Sequence, residues 1–397
     1  MEFDLLISGA GPAGLCLARA LADTGLTIGL VEQQPEEALR EAAFDGREIA
    51  LTQRSASLMR ELGLWKRIQD VDGAAFSPLR DARVFNGSSP FAMLIGHTLT
   101  NRSELGWLVS NHHIRRAAYA EVKAAAEEHG RITLMTGQPI TRVLAQGEGE
   151  MTEVLLADGT THRARLLVAA DSRFSPTRRA MGVGASMHDF GRTVIVCRFK
   201  HEISNCHTAV EFFQYGRTLA LLPLEEHLTN CVITIDSDKA GALLAMSPEE
   251  LAADLEKQLK NKLGKMEKTG TLHTYPLVGV HARRFCTTRA ALIGDAAVGM
   301  HPVTAHGFNL GLESADILGK LVMQAAQNGQ DIGASSLLER YDAKHQLHTR
   351  PLYHGTNAMV KLFTNEAAPA KLLRNLVLRV SNNLPPVKKL ITRQLTG

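Results

Sequence analysis

Two short apolar runs near the start of the chain, Leu5-Leu6-Ile7 and Thr27-Ile28-Gly29-Leu30-Val31, are too short for helices and read as buried parallel strands. Between them, Gly9-Ala10-Gly11-Pro12-Ala13-Gly14 turns the first strand into a helix. Leu51, Leu58, Leu62 and Leu64 predict helix over 49–68, and the Gly, Ser and Pro residues of 73–90 predict irregular backbone. A helix is expected over 111–128. Strands follow at 132–135, 140–145 and 152–156, the last closed by an Asp158-Gly159 hairpin turn. The run Leu166-Leu167-Val168-Ala169-Ala170 is a further buried strand that ends on Asp171.

From 184 to 280 the pattern changes to alternating strands, expected at 193–199, 209–213, 218–222 and 230–235, with one helix over 248–263. This reads as an antiparallel sheet set into the first domain, and pockets favour such interfaces. The first domain resumes at Ala290-Ala291-Leu292-Ile293, which leads into Gly294-Asp295, a loop with Pro and Gly, and a long helix from Gly307. The fold class is therefore α/β, a Rossmann-like domain with an inserted mixed or antiparallel sheet.

The first loop carries chemistry. In G-x-G-x-x-G, Gly9 permits the tight turn, Gly11 lets the backbone approach a pyrophosphate and Gly14 lets the helix pack on the strand. The helix that starts at Pro12-Ala13 offers free amides and a favourable dipole to phosphate. Glu32, eighteen residues past Gly14, ends the second strand where a carboxylate can accept from an adenosine ribose. An ordinary βαβ unit would explain the same residues without a ligand.

Charge and cysteine usage exclude several classes. A formal charge of +3 over 397 residues, with no basic-aromatic stripe or zinc motif, argues against nucleic acid. Cys16, Cys197, Cys206, Cys231 and Cys286 form no C-x-x-C pair and read as reduced, packed thiols. No leader is recognised and no apolar run reaches the roughly 18 residues that span a bilayer, so a cytoplasmic protein is expected. The histidines His112, His113, His301, His306, His345 and His348 lack the neighbouring carboxylates or thiols of a metal site. Residues 367–397 differ from the rest. They hold Lys371, Arg374, Arg379, Lys388, Lys389 and Arg393 and no acid, interleaved with Leu and Val as in a helix resting on an anionic membrane. A packed C-terminal helix with a solvated basic face is the alternative.

The three marked strand ends, at 9–14, Asp171 and Gly294-Asp295, together resemble the class A flavoprotein monooxygenases, and within them the hydroxylases of ubiquinone biosynthesis, including the demethoxyubiquinol hydroxylase type. The resemblance covers almost the whole chain. It implies an FAD-binding domain of 1–72, 101–183 and 285–350, a substrate domain of 73–100 and 184–284, and a C-terminal helical region of 351–397. Asp45-Gly46-Arg47-Glu48-Ile49-Ala50-Leu51 resembles the family's D-x-R-x-x-A-L stretch and makes Arg47 a ribose or phosphate contact, for which a guanidinium fork is suited. The segment from Gly106 through Asn111 to Arg115 is similar to a family segment that opens a helix near the flavin, which implies Asn111 and Arg115 as cofactor contacts. A capped surface helix is the plain alternative there.

Gly294-Asp295-Ala296-Ala297, then Pro302, Gly307, Phe308, Asn309, Leu310 and Gly311, resembles the signature G-D-A-A-H-x-x-x-P-x-x-G-Q-G-x-N-x-G. It implies that Asp295 binds the FAD ribitol and that the following helix N-terminus stabilises negative charge on the reduced flavin. This chain departs from the pattern at Val298, Ala305-His306 and Ser172, where the family has histidine, Gly-Gln and glycine. His306 thereby becomes a candidate catalytic residue, since histidine exchanges protons near neutral pH.

The implied activity is hydroxylation of the aromatic ring of a prenylated quinol or phenol through a flavin hydroperoxide. NAD(P)H or another donor would supply electrons, and O2 the oxygen atom. Such a substrate gives the basic tail a purpose, docking at the inner face of the cytoplasmic membrane, and a quinone-synthesis assembly is a further expected partner. The rival readings are a flavin-dependent reductase of geranylgeranyl-reductase type and a non-catalytic member of such an assembly.

Overall fold

The computed structural model describes residues 1–365 except 72–75, 88, 90, 100, 101, 145–149, 215 and 302–305, and beyond 365 only residues 367, 369, 370, 373, 374, 377 and 378. The chain begins with β1 (Glu2–Ser8), α1 (Pro12–Leu21), β2 (Ile28–Glu32), α2 (Glu36–Arg40), β3 (Glu48–Thr52), α3 (Gln53–Glu61) and α4 (Leu64–Gln69). It continues through β4 (Ser77–Leu79), β5 (Asp81–Asn86), β6 (Ala92–Gly96), β7 (Gly106–Ser110), α5 (Asn111–His129), β8 (Ile132–Thr136), β9 (Ile140–Leu144) and β10 (Thr152–Leu156). Next come β11 (Thr161–Ala169), α6 (Pro176–Ala180), β12 (Ala185–His201), β13 (Thr208–Phe213), β14 (Arg217–Glu225) and β15 (Leu228–Asp236). The rest is α7 (Ser237–Leu244), α8 (Pro248–Gln258), β16 (Met266–Ala282), β17 (Cys286–Thr287), β18 (Ala290–Leu292), β19 (Val298–Gly299), α9 (His306–Gln327) and α10 (Ser335–Thr364).

The first sheet runs β17-β18-β11-β1-β2-β8, with β10 and β9 added beside β11. Its central pairs are parallel. Leu5, Leu6, Ile7, Ile28, Leu30 and the 166–169 stretch are all buried, as expected for strands covered on both faces. α1 packs on both α5 and α9. In α5 the buried positions Ile114, Ala117, Ala118, Val122 and Ala125 recur at helical spacing and give it one apolar stripe. The second sheet, β19-β16-β12-β15-β14-β13-β5-β6, is antiparallel except where β13 meets β5. α7 and α8 cover one of its faces, where Ile195, Cys197, Phe199, Phe212, Leu219, Leu221 and Ile233 form a core with Leu243, Leu251 and Leu255. A small third sheet, β3-β7-β4, lies between the two in the chain's order.

Several expectations change. Residues 48–52 are a strand, not helix, because β3 pairs with β7; the helix begins only at Gln53, capped by the Thr52 hydroxyl. The segment read as irregular contains β4 and β5, and the latter is stabilised by its parallel pairing with β13. α8 ends at Gln258, five residues short of the expected end. β16 is a 17-residue strand that periodicity missed, because Gly270, Pro276 and Gly279 interrupt it. Pro276 is tolerated where the β12–β16 register shifts, a position that does not need its missing N–H. The division at 350/351 falls inside α10, which continues through Pro351. The divisions at 72/73 and 100/101 fall on or beside residues outside those described. Not all thiols are packed, since Cys206 is exposed.

Candidate active site

Four candidate segments lie at the ends of adjacent parallel strands at one edge of the first sheet. In the order β2-β1-β11-β18, they are Glu32, the 9–14 loop, Asp171 and Gly294-Asp295. Three strand spacings separate the outer two, roughly 14 Å. Glycines bring the segments together. Gly9 has φ +106°, and a Cβ there would lie 2.6 Å from the Asp171 Cα. A Cβ on Gly14 would lie 2.1 Å from the Gly9 oxygen, so helix α1 can sit this close to β1 only with glycine. Gly11 is different, because its nearest protein atom would be 4.0 Å away. Its open side suits the approach of a ligand, as expected for the second glycine of the motif. Gly294, at φ +59°, faces Ala13 with 2.9 Å to a built Cβ, and Gly311 packs on both. The start of α9 thus meets the start of α1.

The polar groups at this edge have spare capacity. Glu32 accepts from the amides of Ala10 at 2.8 Å and Gln34 at 2.9 Å, which aims its carboxylate across the glycine loop. Asp171 Oδ2 accepts from the Thr177 amide at 3.1 Å, while Oδ1 is buried with no hydrogen-bond partner among the described residues. α1 has no side-chain cap at Gly11 and no acid in its first turn, which leaves its terminal amides available. Gly307, in the first turn of α9, would meet nothing within 4 Å if given a Cβ. These are the features of a cradle for an extended nucleotide carrying phosphates and hydroxyls.

A second group lies on the 44–47 loop. Asp45 pairs with Arg47 at 2.5 Å and accepts from Asn111 Nδ2 at 2.8 Å. Burial pushes its carboxyl pKa up, but the Arg47 guanidinium and the Asn111 amide outweigh this and hold it below the ordinary value. Arg47 is pulled down by burial and raised more strongly by Asp45, with Tyr275 and Asp295 adding to the effect. The Tyr275 hydroxyl donates to the Asp45 carbonyl oxygen at 2.5 Å, and its ring lies 5.3 Å from the Arg47 guanidinium. Arg115, one turn along α5, is half-buried and forms no hydrogen bond or ion pair with the described residues. It is a cation with capacity for an anionic ligand.

Other expected residues are placed as follows. Asn309 accepts from the Thr52 amide at 3.1 Å and donates to the Ala50 oxygen at 2.8 Å, so its side chain fastens α9 to β3. Phe308 is half-buried against the core of the first sheet. His306 is the first residue of α9 and its ring is buried. Pro302 and Ala305 lie outside the described residues. Ser172 is not among the residues with positive φ, so the turn after Asp171 does not need the family's glycine for its backbone. Val298 is buried in β19 opposite His281, a packing position. Among the described residues no cluster of ligands suits a metal.

Four partners were not found in the sequence. Arg173 donates to Asp295 at 2.9 Å and to the Val278 oxygen at 3.1 Å, which joins the cofactor edge to β16. Arg178, nearly fully buried, donates to the Ala296 oxygen at 2.9 Å. Glu48 of β3 and Arg198 of β12 form a pair at 2.5 Å, with Ser110 donating to the carboxylate. Burial raises the Glu48 pKa in spite of that arginine. Only a periodicity-independent signal, the arginines following Asp171, was there to suggest the first two.

A family model described as an FAD binding domain matches residues 2–354. The chain is 56% identical over 401 positions to the ubiquinone hydroxylase UbiM of Neisseria meningitidis, across 100% of this chain and 85% of that protein. The chain belongs to the FAD-dependent ubiquinone hydroxylases. A second member, the ubiquinone hydroxylase UbiL of Rhodospirillum rubrum, is 34% identical, with 99% of this chain and 89% of that protein aligned. The fold is also that of p-nitrophenol 4-monooxygenase PnpA from Pseudomonas putida, with TM-score 0.75, 15% identity, and 100% and 99% of the two chains covered. This family membership supports a hydroxylase and gives no support to the reductase or the non-catalytic reading.

Proposed function

We propose that this enzyme hydroxylates the aromatic ring of a prenylated phenol or quinol on the way to ubiquinone, with FAD held along the C-terminal edge of the first sheet. The observation that carries the reading is the alignment of Glu32, the 9–14 loop, Asp171 and Asp295 on adjacent parallel strands. Glu32 would accept from the adenosine ribose. The open side of Gly11 and the α1 amides after Pro12, at Ala13 and Gly14, would meet the pyrophosphate. Arg47 and Arg115 would add positive charge, with Asn111 steadying Arg47 through Asp45. The buried, unpartnered Asp171 oxygen and the Asp295 carboxylate would take hydroxyl donors, beside Gly294. The first turn of α9, Gly307 and Phe308 with Asn309 as its fastening, would favour negative charge on the bound group. Pro302 belongs to the same reading through its motif, and His306 as a candidate for proton exchange at that turn.

Bound FAD, reduced by NAD(P)H or another donor, supplies the activated oxygen from O2. The chain's own residues position the two reactants and exclude water between the sheets. The substrate side is the apolar face of the second sheet, where Val194, Val196, Leu277 and Val232 pack together.

Contact with the inner face of the membrane is part of this proposal, supported by the absence of acids from residues 367–397. One of the cations counted there needs correction. Arg374 is fully buried and donates to the carbonyl oxygens of Leu362, at 2.8 Å, and Asn365, so it caps the end of α10 and does not face a membrane. The other five cations lie outside the described residues. No helix among the described residues is long and apolar enough to cross a membrane.

The test combines purified enzyme with a geranylated phenol, a reductant and isotopically labelled dioxygen. Labelled oxygen in the ring product is expected. A product without it, or an unchanged quinone pool after deletion in a strain lacking redundant hydroxylases, refutes the reading.

A further inference from the structure

Three buried or half-buried carboxylates of this protein carry an ionic partner. Asp45 has Arg47, Glu48 has Arg198, and Glu313 has His348 at 2.9 Å. Glu211, in β13, has neither a hydrogen bond nor an ion pair with the described residues. Its place in the register shows what it faces. Glu211 lies opposite Ala220 on β14 and Val84 on β5; Ala220 lies opposite Val232, and Val232 opposite Val196. Val196 in turn lies opposite His273 and against Gly46. Glu211 therefore shares the sheet face that receives the 44–47 loop, away from α7 and α8.

The surroundings on that face carry no charge. The two flanking rows place Phe213, Thr218, Thr234 and Asn86 on one side and Ala209, Leu222, Asn230 and Ala82 on the other. α10 covers the far end with Met359, Leu362 and Phe363, packed on Met93, Ile95 and Phe213. None of these residues is charged. The nearest cation on the face, Arg198, lies three strands away, roughly 14 Å, and is taken by Glu48. Glu211 itself is half-buried. Burial pushes its carboxyl up to about 8. A carboxyl buried without a counter-charge costs stability unless a ligand satisfies it.

We propose that Glu211 is the hydrogen-bonding partner of the hydroxyl group on the aromatic substrate. The inference rests on the hydroxylase reading above and assigns the polar anchor of its substrate face. Near neutral pH the protonated carboxyl can donate to the hydroxyl oxygen and accept from its proton. The apolar members of the two rows, Phe213 and Ala82, Ala209 and Leu222, hold the ring and the first part of a prenyl chain. A phenol meets both needs, whereas its methyl ether cannot donate and leaves the carboxyl partly unsatisfied.

The experiment titrates the FAD-loaded enzyme with a geranylated phenol and with its methyl ether, using the flavin absorbance change as readout. Wild type is expected to bind the phenol about tenfold more tightly. Glu211→Leu should bind the two within about twofold, by the same argument. Glu211→Gln, which keeps a donor and an acceptor, should retain most of the preference. In wild type the preference should grow as pH rises through 8 and the carboxylate becomes a stronger acceptor, and in Glu211→Gln it should stay flat. An undiminished preference in Glu211→Leu overturns the assignment while leaving the hydroxylase reading intact. If wild type neither binds nor hydroxylates the phenol, both fall together.

Discussion

Glu211 also permits a stability prediction that needs no substrate. Its ordinary pKa is 4.5, and burial raises it to about 8 in the folded protein. The folded state therefore holds the proton more tightly than the unfolded chain. Stability from this group is fully present below 4.5, and it is lost as pH rises through 8. At about 1.4 kcal/mol per pH unit, the loss reaches about 3 kcal/mol at neutral pH and about 5 kcal/mol once the folded group ionises. Glu211→Gln removes the ionisation and keeps the shape. Urea unfolding of apo wild type and Glu211→Gln, near pH 5 and near pH 9, isolates the effect, because other titrating groups cancel between the two proteins. The variant should gain about 3 to 5 kcal/mol on wild type across that interval. A wild-type-to-variant difference that is the same at both pH values would show that Glu211 is hydrated like a surface carboxylate, and would refute the reasoning.

Three further changes test the cofactor edge and the domain interface. Gly14→Ala places a methyl 2.1 Å from the Gly9 oxygen, so α1 must move off β1, and the purified variant should come colourless, losing its flavin on gel filtration. Arg115→Met removes a cation with no partner among the described residues, so FAD affinity by fluorescence titration should fall about tenfold, as for one lost charged hydrogen bond, with no change in the apo protein's thermal midpoint. Glu48→Gln leaves Arg198 without its counter-charge at the interface and should destabilise the apo protein by about 3 kcal/mol in urea unfolding.

What was legible in the sequence was local. The glycine loop announced itself because its three glycines recur at the G-x-G-x-x-G spacing right after a strand, and Glu32 because it ends the next strand. Yet the reason for Gly9 is the backbone of Asp171, which comes next to it only through the β1–β11 pairing. β16 was hidden by Gly270, Pro276 and Gly279, whose breaker signals are overridden by its long pairing with β12. Asn309 matched a motif, but its side chain is used on β3, a strand the leucine spacing had assigned to a helix. Arg173 and Glu211 belong to no periodic pattern. Their significance depends on register: Arg173 reaches Asp295 across the sheet edge, and Glu211 acquires its apolar neighbours only when β13 is set between β5 and β14.

The two sheets meet through the 44–47 loop, and the loop is fixed from both sides. Gly46, at φ +71°, has room only for a hydrogen, since a Cβ would lie 2.7 Å from the His273 ring and 2.8 Å from Val196. Its carbonyl accepts from buried Asn230 at 2.9 Å, and Tyr275 holds the next carbonyl back along the chain, that of Asp45. On the other side Asn111 holds the Asp45 carboxylate, and its amide donates to the Arg47 oxygen at 2.9 Å. The position of Arg47 is thus set by residues of the second sheet as much as by its own domain. Rotating one sheet on the other would break the Glu48–Arg198 pair and leave the buried Glu48 carboxylate without its counter-charge, which makes the orientation stiff. A stiff seam suits a reaction in which the cofactor supplies the chemistry and the protein supplies distance and dryness. On the proposed reading it sets the cations Arg47 and Arg115 on one side of the seam and the Glu211 carboxyl, which has no ionic partner among the described residues, on the other.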